Sequence, residues 1–343
     1  MIRRTLISAA AFGAALALAG CGQPAEKADP DAPLKELTFS ILSAENQTSM
    51  EPLWTPLLTD MSEAIGVKVK PYFATNYTSL VEAMRFKQVQ VGWFSASPAL
   101  QAIRRSDAEV LGRVVDAGGE ATYKSVIIVR KGSGLTVDKI LKCDRSLSFG
   151  LGDTQSTSGT LAPMTYLFTP RGIDPNRCFK SVRSASHQAN AFSVANGVVD
   201  VATNNSVGML FFARQSPELA AKVETIWESP PLPESSIVVR RDLDPALKEK
   251  IRQFFLTYGT GTDAKAEKQR EVLKGLAYGG FRPADNSYLD PVREMEASEA
   301  LAAAKRSGDK TRIDRAQAEF DRISAEAARS RAVAPVAAPV AAP

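Results

Sequence analysis

Histidine and cysteine are scarce in this sequence, which has one histidine and three cysteines in 343 residues. Clusters of these residues hold most protein-bound zinc ions, so we expect no metal site. The serines lack the G-x-S-x-G nucleophile motif, and a single histidine leaves little for acid–base catalysis. We therefore predict no catalytic residues, no cofactor and no enzymatic activity.

A strong excess of one charge is also missing. The sequence has 42 Lys and Arg against 38 Asp and Glu, a net charge of +4. This balance gives no reason to expect a nucleic-acid partner. The apolar run from Leu6 to Leu18 is too short and too rich in alanine for a good membrane span. Because it follows Arg3 and Arg4, it is typical of an export signal.

The residues that follow this run, Leu18-Ala19-Gly20-Cys21, have the pattern of a bacterial lipoprotein cleavage box. The resemblance implies cleavage before Cys21 and lipid on its thiol; a plain signal peptide with an incidental cysteine is the alternative. We predict a signal peptide over residues 1–20 and a proline-containing tether over 21–34. The body would then lie in the periplasm, anchored by lipid to the inner or the outer membrane, with no transmembrane helix.

Strands and helices alternate along the body of the chain. A strand around Phe39 is followed by a helix that Pro52 opens and Gly66 ends. The same alternation continues downstream, which indicates parallel β-α-β units and an α/β fold. Residues 116–124 and 229–237 are interpreted as two crossings between two lobes, with a ligand held where strand ends face each other.

A run of hydroxyls lies at a predicted helix start. Ser146–Phe149 alternates like a half-buried strand, a glycine turn follows, and Ser156, Thr157 and Ser158 then precede a helical pattern. A helix N-terminus with adjacent hydroxyls can bind an oxyanion without lysine or arginine. An ordinary Ser/Thr N-cap is the alternative.

Two cysteines remain in the body of the chain. Cys143 precedes the predicted strand Ser146–Phe149, and Cys178 precedes the predicted strand Phe179–Val182. The starts of parallel neighbouring strands lie side by side, and an exported protein meets an oxidising compartment. We predict a Cys143–Cys178 disulfide, with two free thiols as the alternative.

The last part of the chain is helical and then of low complexity. Asp290 and Pro291 predict an N-cap and first helical residue, and the helix runs to about Arg306. A further stripe repeats at coiled-coil spacing, and either packing on the chain's own body or a dimer contact explains it. The stripe consists of Ile313, Ala316, Phe320, Ile323 and Ala327.

Several blocks together resemble the phosphonate-binding proteins of bacterial ABC transporters, from about Leu37 to Arg282. The blocks are Trp54-Thr55-Pro56-Leu57, Glu82–Phe86, Gly152–Gly159, and Ser193–Asn196 with Asp200–Asn205. The resemblance implies a two-lobed periplasmic-binding-protein fold of the type II class with a C-terminal helical extension that can pair subunits into a homodimer.

The domain boundaries follow from these elements and from the resemblance. Lobe I is predicted over residues 35–117 and 236–284, and lobe II over 118–235. C-terminal helices are predicted over 285–331, followed by a disordered tail over 332–343.

Carried over residue by residue, the resemblance implies a set of mostly neutral donors to the phosphonate oxygens. These are Tyr77, Tyr123, Ser156, Thr157, Ser158 and His187. The function implied is capture of a small phosphorus oxyanion, a phosphonate such as methylphosphonate or phosphite, and its delivery to the permease of an ABC importer. A binding protein for phosphate or sulfate, and an exported hydrolase of phosphate or phosphonate esters, are the alternatives.

The sequence departs from the family at one point. Family members that bind aminoalkyl phosphonates hold the ammonium group with two carboxylates, and those positions are Val207 and Ser235 here. Burying an ammonium group without a counter-charge is costly. Glu234 is adjacent and could partly substitute, but a shift of one residue in a strand or its approach turns the side chain away. We therefore expect a ligand without an amine.

Overall fold

A computed structural model describes residues 34–333 of the chain. The predicted signal peptide, Cys21 and most of the predicted tether and tail lie outside the described residues. Within them, no helix combines the length and apolar character that crossing a lipid bilayer would require.

Thirteen strands are found among residues 34–333. They are β1 (Glu36–Ile41), β2 (Lys68–Phe73), β3 (Val91–Phe94), β4 (Ala108–Asp116), β5 (Thr122–Tyr123), β6 (Ser125–Arg130), β7 (Ser148–Leu151), β8 (Ser181–Ser184), β9 (Val201–Asn205), β10 (Val223–Glu228), β11 (Leu232–Pro233), β12 (Ser236–Arg240) and β13 (Tyr278–Pro283).

The α-helices of the same region are α1 (Gln47–Ile65), α2 (Tyr77–Arg85), α3 (Ala96–Ser106), α4 (Val137–Ile140), α5 (Pro175–Cys178), α6 (His187–Ala195), α7 (Ser206–Gln215), α8 (Pro217–Ala220), α9 (Pro245–Thr257), α10 (Ala264–Gly275), α11 (Asp290–Ser307) and α12 (Lys310–Val333). Short 3₁₀ turns occur at Thr169–Arg171 and Asn286–Leu289. Two π-helical segments, Thr157–Leu161 and Met164–Phe168, form what we call the hydroxyl helix.

The strands form one sheet in each of the two lobes. In lobe I the order is β13-β4-β12-β3-β1-β2, and in lobe II it is β10-β6-β9-β7-β8. β1 is parallel to β2 and β3, but β12 is antiparallel to both β3 and β4. In lobe II, β7 is parallel to β8 and β9, whereas β6 is antiparallel to β9 and β10. The expectation of parallel pairing therefore holds for the β-α-β units and fails for strands that follow a crossing, because the chain re-enters the sheet in the opposite direction.

The two crossings lie side by side. β5 and β11 pair antiparallel, with Tyr123 opposite Leu232. This ribbon joins the segments that leave and re-enter lobe I, between β4 and β12. It brings Tyr123 and the residues after Pro233 to the same edge of the lobe, where the cleft lies.

Apolar side chains on both faces of each sheet form the core. In lobe I, Phe39 contacts Trp54 with ring centroids 5.5 Å apart, and both side chains are fully buried. In lobe II, Phe149 stacks on Phe179 at 4.4 Å. These clusters hold the strand ends, and with them the site residues, in fixed positions.

Two predicted helix starts are wrong. Helix α1 begins at Gln47 rather than at Pro52, because the side chain of Asn46 accepts a hydrogen bond from Ser49 N and caps the helix earlier. Helix α11 includes Asp290 as its first residue, and Leu289 occupies the N-cap position.

The C-terminal helices pack against each other. In the stripe predicted on α12, Ile323 and Ala327 are buried, whereas Ile313, Ala316 and Phe320 are partly exposed. Two of the five stripe residues are therefore buried within the chain. α12 continues to Val333, two residues past the predicted boundary.

Cys143 and Cys178 form a disulfide, with their sulfur atoms 2.06 Å apart. This is the pair that strand order predicts, since β7 and β8, which follow the two cysteines, are parallel neighbours. The strands begin two residues later than the sequence indicates, at Ser148 and Ser181.

Candidate ligand-binding site

A cavity of about 50 Å³ lies between the two lobes. A water molecule needs roughly 10–15 Å³ by this measure, so the cavity holds a solute the size of a few waters. Its walls are lined by Leu42, Ala44, Glu45, Met50, Tyr77, Trp93, Ser95, Tyr123, Ser158, His187, Asn205, Val207, Gly208, Phe211, Glu234, Ser235 and Tyr278.

Six helices of the described region begin at this cavity, three from each lobe. α2 and α6 start with the lining residues Tyr77 and His187, and the hydroxyl helix places Ser158 in its first turn. Ser95 and Asn205 are the N-cap residues of α3 and α7, and α1 starts two residues after the lining residue Glu45. Each N-terminus carries unpaired N–H groups and a partial positive charge, so together they favour an anion. No lysine or arginine is among the lining residues that the structure describes.

The glycine turn before the hydroxyl helix wraps tightly around the helix start. Gly152 N donates to Gly159 O at 3.0 Å, and a Cβ atom on Gly152 would lie 2.5 Å from Gly159 Cα. Neither position has room for a side chain. The glycines therefore allow the two backbone segments to cross, and this crossing presents the hydroxyls to the cleft.

The hydroxyls of Ser156 and Ser158 both lie next to the only histidine of the sequence. Each Oγ atom is 3.4 Å from His187 Nε2, and all three side chains are buried. Ser156 Oγ also accepts from Gly159 N at 2.9 Å and so caps the hydroxyl helix. Ser158 and His187 line the cavity, whereas Ser156 lies behind them among the described residues.

Thr157 lies at the contact between the lobes and is not one of the residues described as lining the cavity. Its Oγ1 atom accepts a hydrogen bond from Ser97 N at 2.8 Å, which ties the hydroxyl helix of lobe II to the first turn of α3 in lobe I. The sequence predicts Thr157 as a ligand donor; in this structure its hydroxyl joins the two lobes.

The two predicted tyrosines reach the cavity from different elements, Tyr77 from α2 and Tyr123 from β5. The Tyr123 hydroxyl is buried without a hydrogen-bond partner in the described structure, as is Nδ1 of His187. Burial raises the pKa of both tyrosines, so both keep their protons as donors. Unpaired buried polar atoms are costly, and a bound solute would supply their partners.

Burial also shifts the other titratable groups of the cavity toward their neutral forms. It lowers the pKa of His187 to about 4 and raises that of Glu45 to about 8. The pKa of Glu234 is raised mainly by burial, opposed by the hydrogen bond that its Oε1 accepts from Ser235 N at 2.8 Å. Near neutral pH His187 and most of Glu45 are therefore uncharged, as are the tyrosines.

The positions of the family's ammonium-binding carboxylates, Val207 and Ser235, both line the cavity. The premise that Glu234 turns away is wrong, because Glu234 also lines the cavity. It lies between β11 and β12, outside either strand, so the alternation of side chains along a strand does not apply. Sequence reasoning missed Glu45 altogether; its signal is a charged residue just past the carboxyl end of the first strand, where open sheets bind ligands.

Polar contacts between the lobes surround the cavity. Asp153 of lobe II accepts from Tyr77 N at 3.2 Å, at the start of α2 in lobe I. Gln188 Oε1 accepts from both nitrogens of Asn46, at 3.1 Å from the backbone and 2.6 Å from the side chain. The structure therefore represents a closed arrangement of the two lobes.

A family model described as "ABC transporter, phosphonate, periplasmic substrate-binding protein" matches residues 39–289. The chain is 35% identical over 301 residues to the phosphonates-binding periplasmic protein of Escherichia coli K12, covering 88% of this chain and 86% of that one. A binding protein component of an ABC phosphonate transporter from Pseudomonas aeruginosa superposes with a TM-score of 0.82 at 32% identity, over 87% of this chain and 99% of that chain.

A more distant structure has the same fold. It is a Prochlorococcus marinus protein solved in complex with methylphosphonate, with a TM-score of 0.68 at 22% identity over 78% of this chain and 97% of that one. Fold, family model and relatives agree: the chain belongs to the periplasmic substrate-binding proteins of phosphonate ABC transporters.

Proposed function

We propose that this protein captures a small phosphonate, such as methylphosphonate, or phosphite between its lobes and delivers it to the permease of an ABC importer. The observation that carries the proposal is the convergence of neutral donors from both lobes, Tyr77, Tyr123, Ser158 and His187, on one small cavity at helix N-termini. Such a set stabilises an oxyanion by fixed dipoles and hydrogen bonds. The methylphosphonate complex of the Prochlorococcus protein supports this choice of ligand.

The size and charge of the cavity support a ligand without an amine. A volume of about 50 Å³ leaves little room beyond a tetrahedral oxyanion and one small substituent. Val207 and Ser235 provide no negative charge, and the nearby Glu45 and Glu234 have pKa values raised by burial. A carboxyl whose pKa is raised carries less negative charge at a given pH, so it stabilises an ammonium group less than an ordinary carboxylate does.

A thermal-shift panel tests the ligand, because a ligand that binds only the folded state raises the melting temperature. The panel contains phosphite, methylphosphonate, 2-aminoethylphosphonate, phosphate and sulfate. We expect the largest shifts with methylphosphonate or phosphite. A larger shift with 2-aminoethylphosphonate would contradict the amine-free ligand, and a larger shift with phosphate or sulfate would favour the alternative oxyanion function.

We further propose that binding occurs without chemical turnover. Between residues 34 and 333 no group of three or more His, Cys, Asp or Glu residues is placed to hold a metal ion. The histidine beside Ser156 and Ser158 has its pKa lowered by burial to about 4, and the family consists of binding proteins. Phosphorus NMR of each panel compound after prolonged incubation tests this, and appearance of a new phosphorus species would support the hydrolase alternative.

The membrane attachment is proposed from Cys21 and the cleavage box. Mass spectrometry of the mature protein should find residue 21 at the N-terminus with attached lipid. Cys21→Ala should release the protein into the soluble periplasmic fraction, and fractionation of the wild type identifies which membrane holds it. A soluble wild-type protein with an unmodified thiol would support the plain signal peptide.

The homodimer that the resemblance implies would have to use the exposed part of the α12 stripe. Ile313, Ala316 and Phe320 are partly exposed, and Ile323 and Ala327 are buried in the single chain. We propose that a second copy of the chain covers Ile313, Ala316 and Phe320. Light scattering of the wild type and of Phe320→Glu tests this, and a monomeric wild type would exclude it.

A further inference from the structure

Glu45 is a buried carboxyl group that the expected donor set leaves without a role. It is 7% exposed, lies in the loop between β1 and α1, and lines the cavity. Burial alone accounts for the change in its pKa, with no contribution from a hydrogen bond or a neighbouring charge in the described structure. A buried carboxyl without a partner is costly, so its place in a ligand cavity requires an explanation.

The carboxyl group lies against the first turn of α7. A Cβ atom built on Gly208 would lie 3.4 Å from Glu45 Oε1, which is van der Waals contact, so the carboxyl packs directly against this turn. Glu45, Ser158 and His187 line the same cavity of about 50 Å³, so we expect a tetrahedral anion bound there to contact all three. Repulsion would follow if both the ligand oxygen and the carboxyl were fully deprotonated.

We propose that Glu45 binds the phosphorus oxyanion directly, through a hydrogen bond whose single proton is shared between a carboxyl oxygen and a phosphorus-bound oxygen. The proposal rests on the proposed function and adds a residue and a proton to it. The proton can start on either partner, as a neutral carboxyl meeting a dianion or a carboxylate meeting a monoanion. Both routes give the same complex, with one proton between the two groups.

None of the other titratable groups around the cavity is as well suited as Glu45 to supply this proton. The other titratable side chains lining the described cavity are Tyr77, Tyr123, Tyr278, His187 and Glu234. Burial raises the pKa of the tyrosines, and it lowers that of His187 to about 4, so none of these changes charge near pH 8. Glu234 already accepts a hydrogen bond from Ser235 N, whereas Glu45 has no such partner.

The shared proton makes binding depend on pH. The pKa of free Glu45 is about 8, so above pH 8 a dianion meets an ionised carboxyl and must bring a proton from solvent. We expect affinity to fall about tenfold per pH unit there, with uptake of about one proton per ligand bound. At pH 7 the carboxyl is already protonated and uptake by Glu45 is small.

Calorimetry in two buffers of different ionisation enthalpy measures this proton directly. Methylphosphonate and phosphite are titrated at pH 7 and pH 9 into the wild type, Glu45→Gln and Glu51→Gln. Glu51 is an exposed residue of α1 and serves as the matched control. We expect proton uptake at pH 9 in the wild type and in Glu51→Gln. Glu45→Gln keeps a donor but no titratable proton, so it should show no uptake and bind more tightly than the wild type at pH 9.

Several results would overturn the proposal while leaving the proposed function intact. These are tight wild-type binding at pH 9 without proton uptake, uptake that persists in Glu45→Gln, and uptake that disappears in Glu234→Gln instead. A preferential loss of 2-aminoethylphosphonate binding in Glu45→Gln, without a change for methylphosphonate, would assign Glu45 to an ammonium group. If the wild type binds none of these anions at either pH, the proposed function itself fails.

Discussion

The backbone N–H of Ser97 donates to the hydroxyl of Thr157 across the cleft, over 2.8 Å. Ser97 is the second residue of α3 in lobe I, and Thr157 is the first residue of the hydroxyl helix in lobe II. Thr157 is fully buried in this closed arrangement. Because the hydrogen bond joins one lobe to the other, we expect it to form only on closure and so to couple closure to the position of the donor set.

Thr157→Val should weaken binding because it removes the acceptor of this contact while keeping the shape of the side chain. Loss of a neutral hydrogen bond costs about 0.5–1.5 kcal/mol, and loss of a bond to a charged ligand oxygen about 1.5–3 kcal/mol. Calorimetry with methylphosphonate measures the change, and Thr157→Ser, which keeps the hydroxyl, is the control. An unchanged affinity in Thr157→Val would mean that this hydroxyl contributes neither to closure nor to ligand binding.

Ser158→Ala should lower affinity by removing a contact to the ligand itself, because Ser158 lines the cavity next to His187. We expect a loss of about 1.5–3 kcal/mol, roughly 10- to 150-fold in Kd, from one charge-assisted hydrogen bond. Ser181→Ala, at an exposed position of β8, provides the matched control. Wild-type affinity in Ser158→Ala would place the oxyanion elsewhere.

His187 should make the empty protein sensitive to acid. Its pKa is lowered by burial to about 4 in the folded state, against an ordinary value of 6.5. Between these values the unfolded chain binds the extra proton, so folding stability falls as the pH drops from about 6.5 to 4. The loss should reach about 2–3 kcal/mol.

Denaturation of the wild type and of His187→Asn at several pH values checks this expectation. The sequence has a single histidine, so the variant removes every imidazole. The difference in unfolding free energy between the two proteins should change across this pH window and stay level above it. A constant difference from pH 4 to 7 would show that His187 is not buried as a neutral group.

The disulfide should stabilise the protein by restricting the unfolded chain. It closes a loop with a sequence separation of 35 residues, for which the chain-entropy estimate is about 3–4 kcal/mol. Cys143→Ser/Cys178→Ser should therefore melt at a lower temperature, and the wild type should resemble it after reduction. Thiol titration of the unfolded, unreduced protein gives the direct test, in which two reactive thiols would contradict the bond.

Local sequence signals predicted the elements of the site better than their detailed roles. Asn76 and Ser186 cap helices whose first residues, Tyr77 and His187, line the cavity as carried over from the family. The role of Thr157 could not be predicted, because its partner Ser97 belongs to the other lobe and only the closed arrangement brings them together. Glu45 could not be predicted for the same reason, since its carboxyl packs against Gly208 of α7, which is far away in the sequence.

The predictions of strand direction and of helix starts are wrong where a nonlocal contact or a competing N-cap determines the structure. β12 enters lobe I after a long excursion, and alternation of strands and helices contains no information on its direction. At α1, the side chain of Asn46 competes with the signal of Pro52 and begins the helix earlier. The first error therefore comes from missing nonlocal information, and the second from two local signals that compete for one helix start.

The two hydrogen bonds between Gln188 and Asn46 would have a kinetic consequence if, as we propose, the protein delivers its solute to a permease. Because these two hydrogen bonds hold the closed lobes together, we expect them to break before an enclosed solute is released. The residence time of the solute would then depend on the frequency of opening as well as on the solute's own contacts. A permease that separates these two residues would shorten that time without touching the solute.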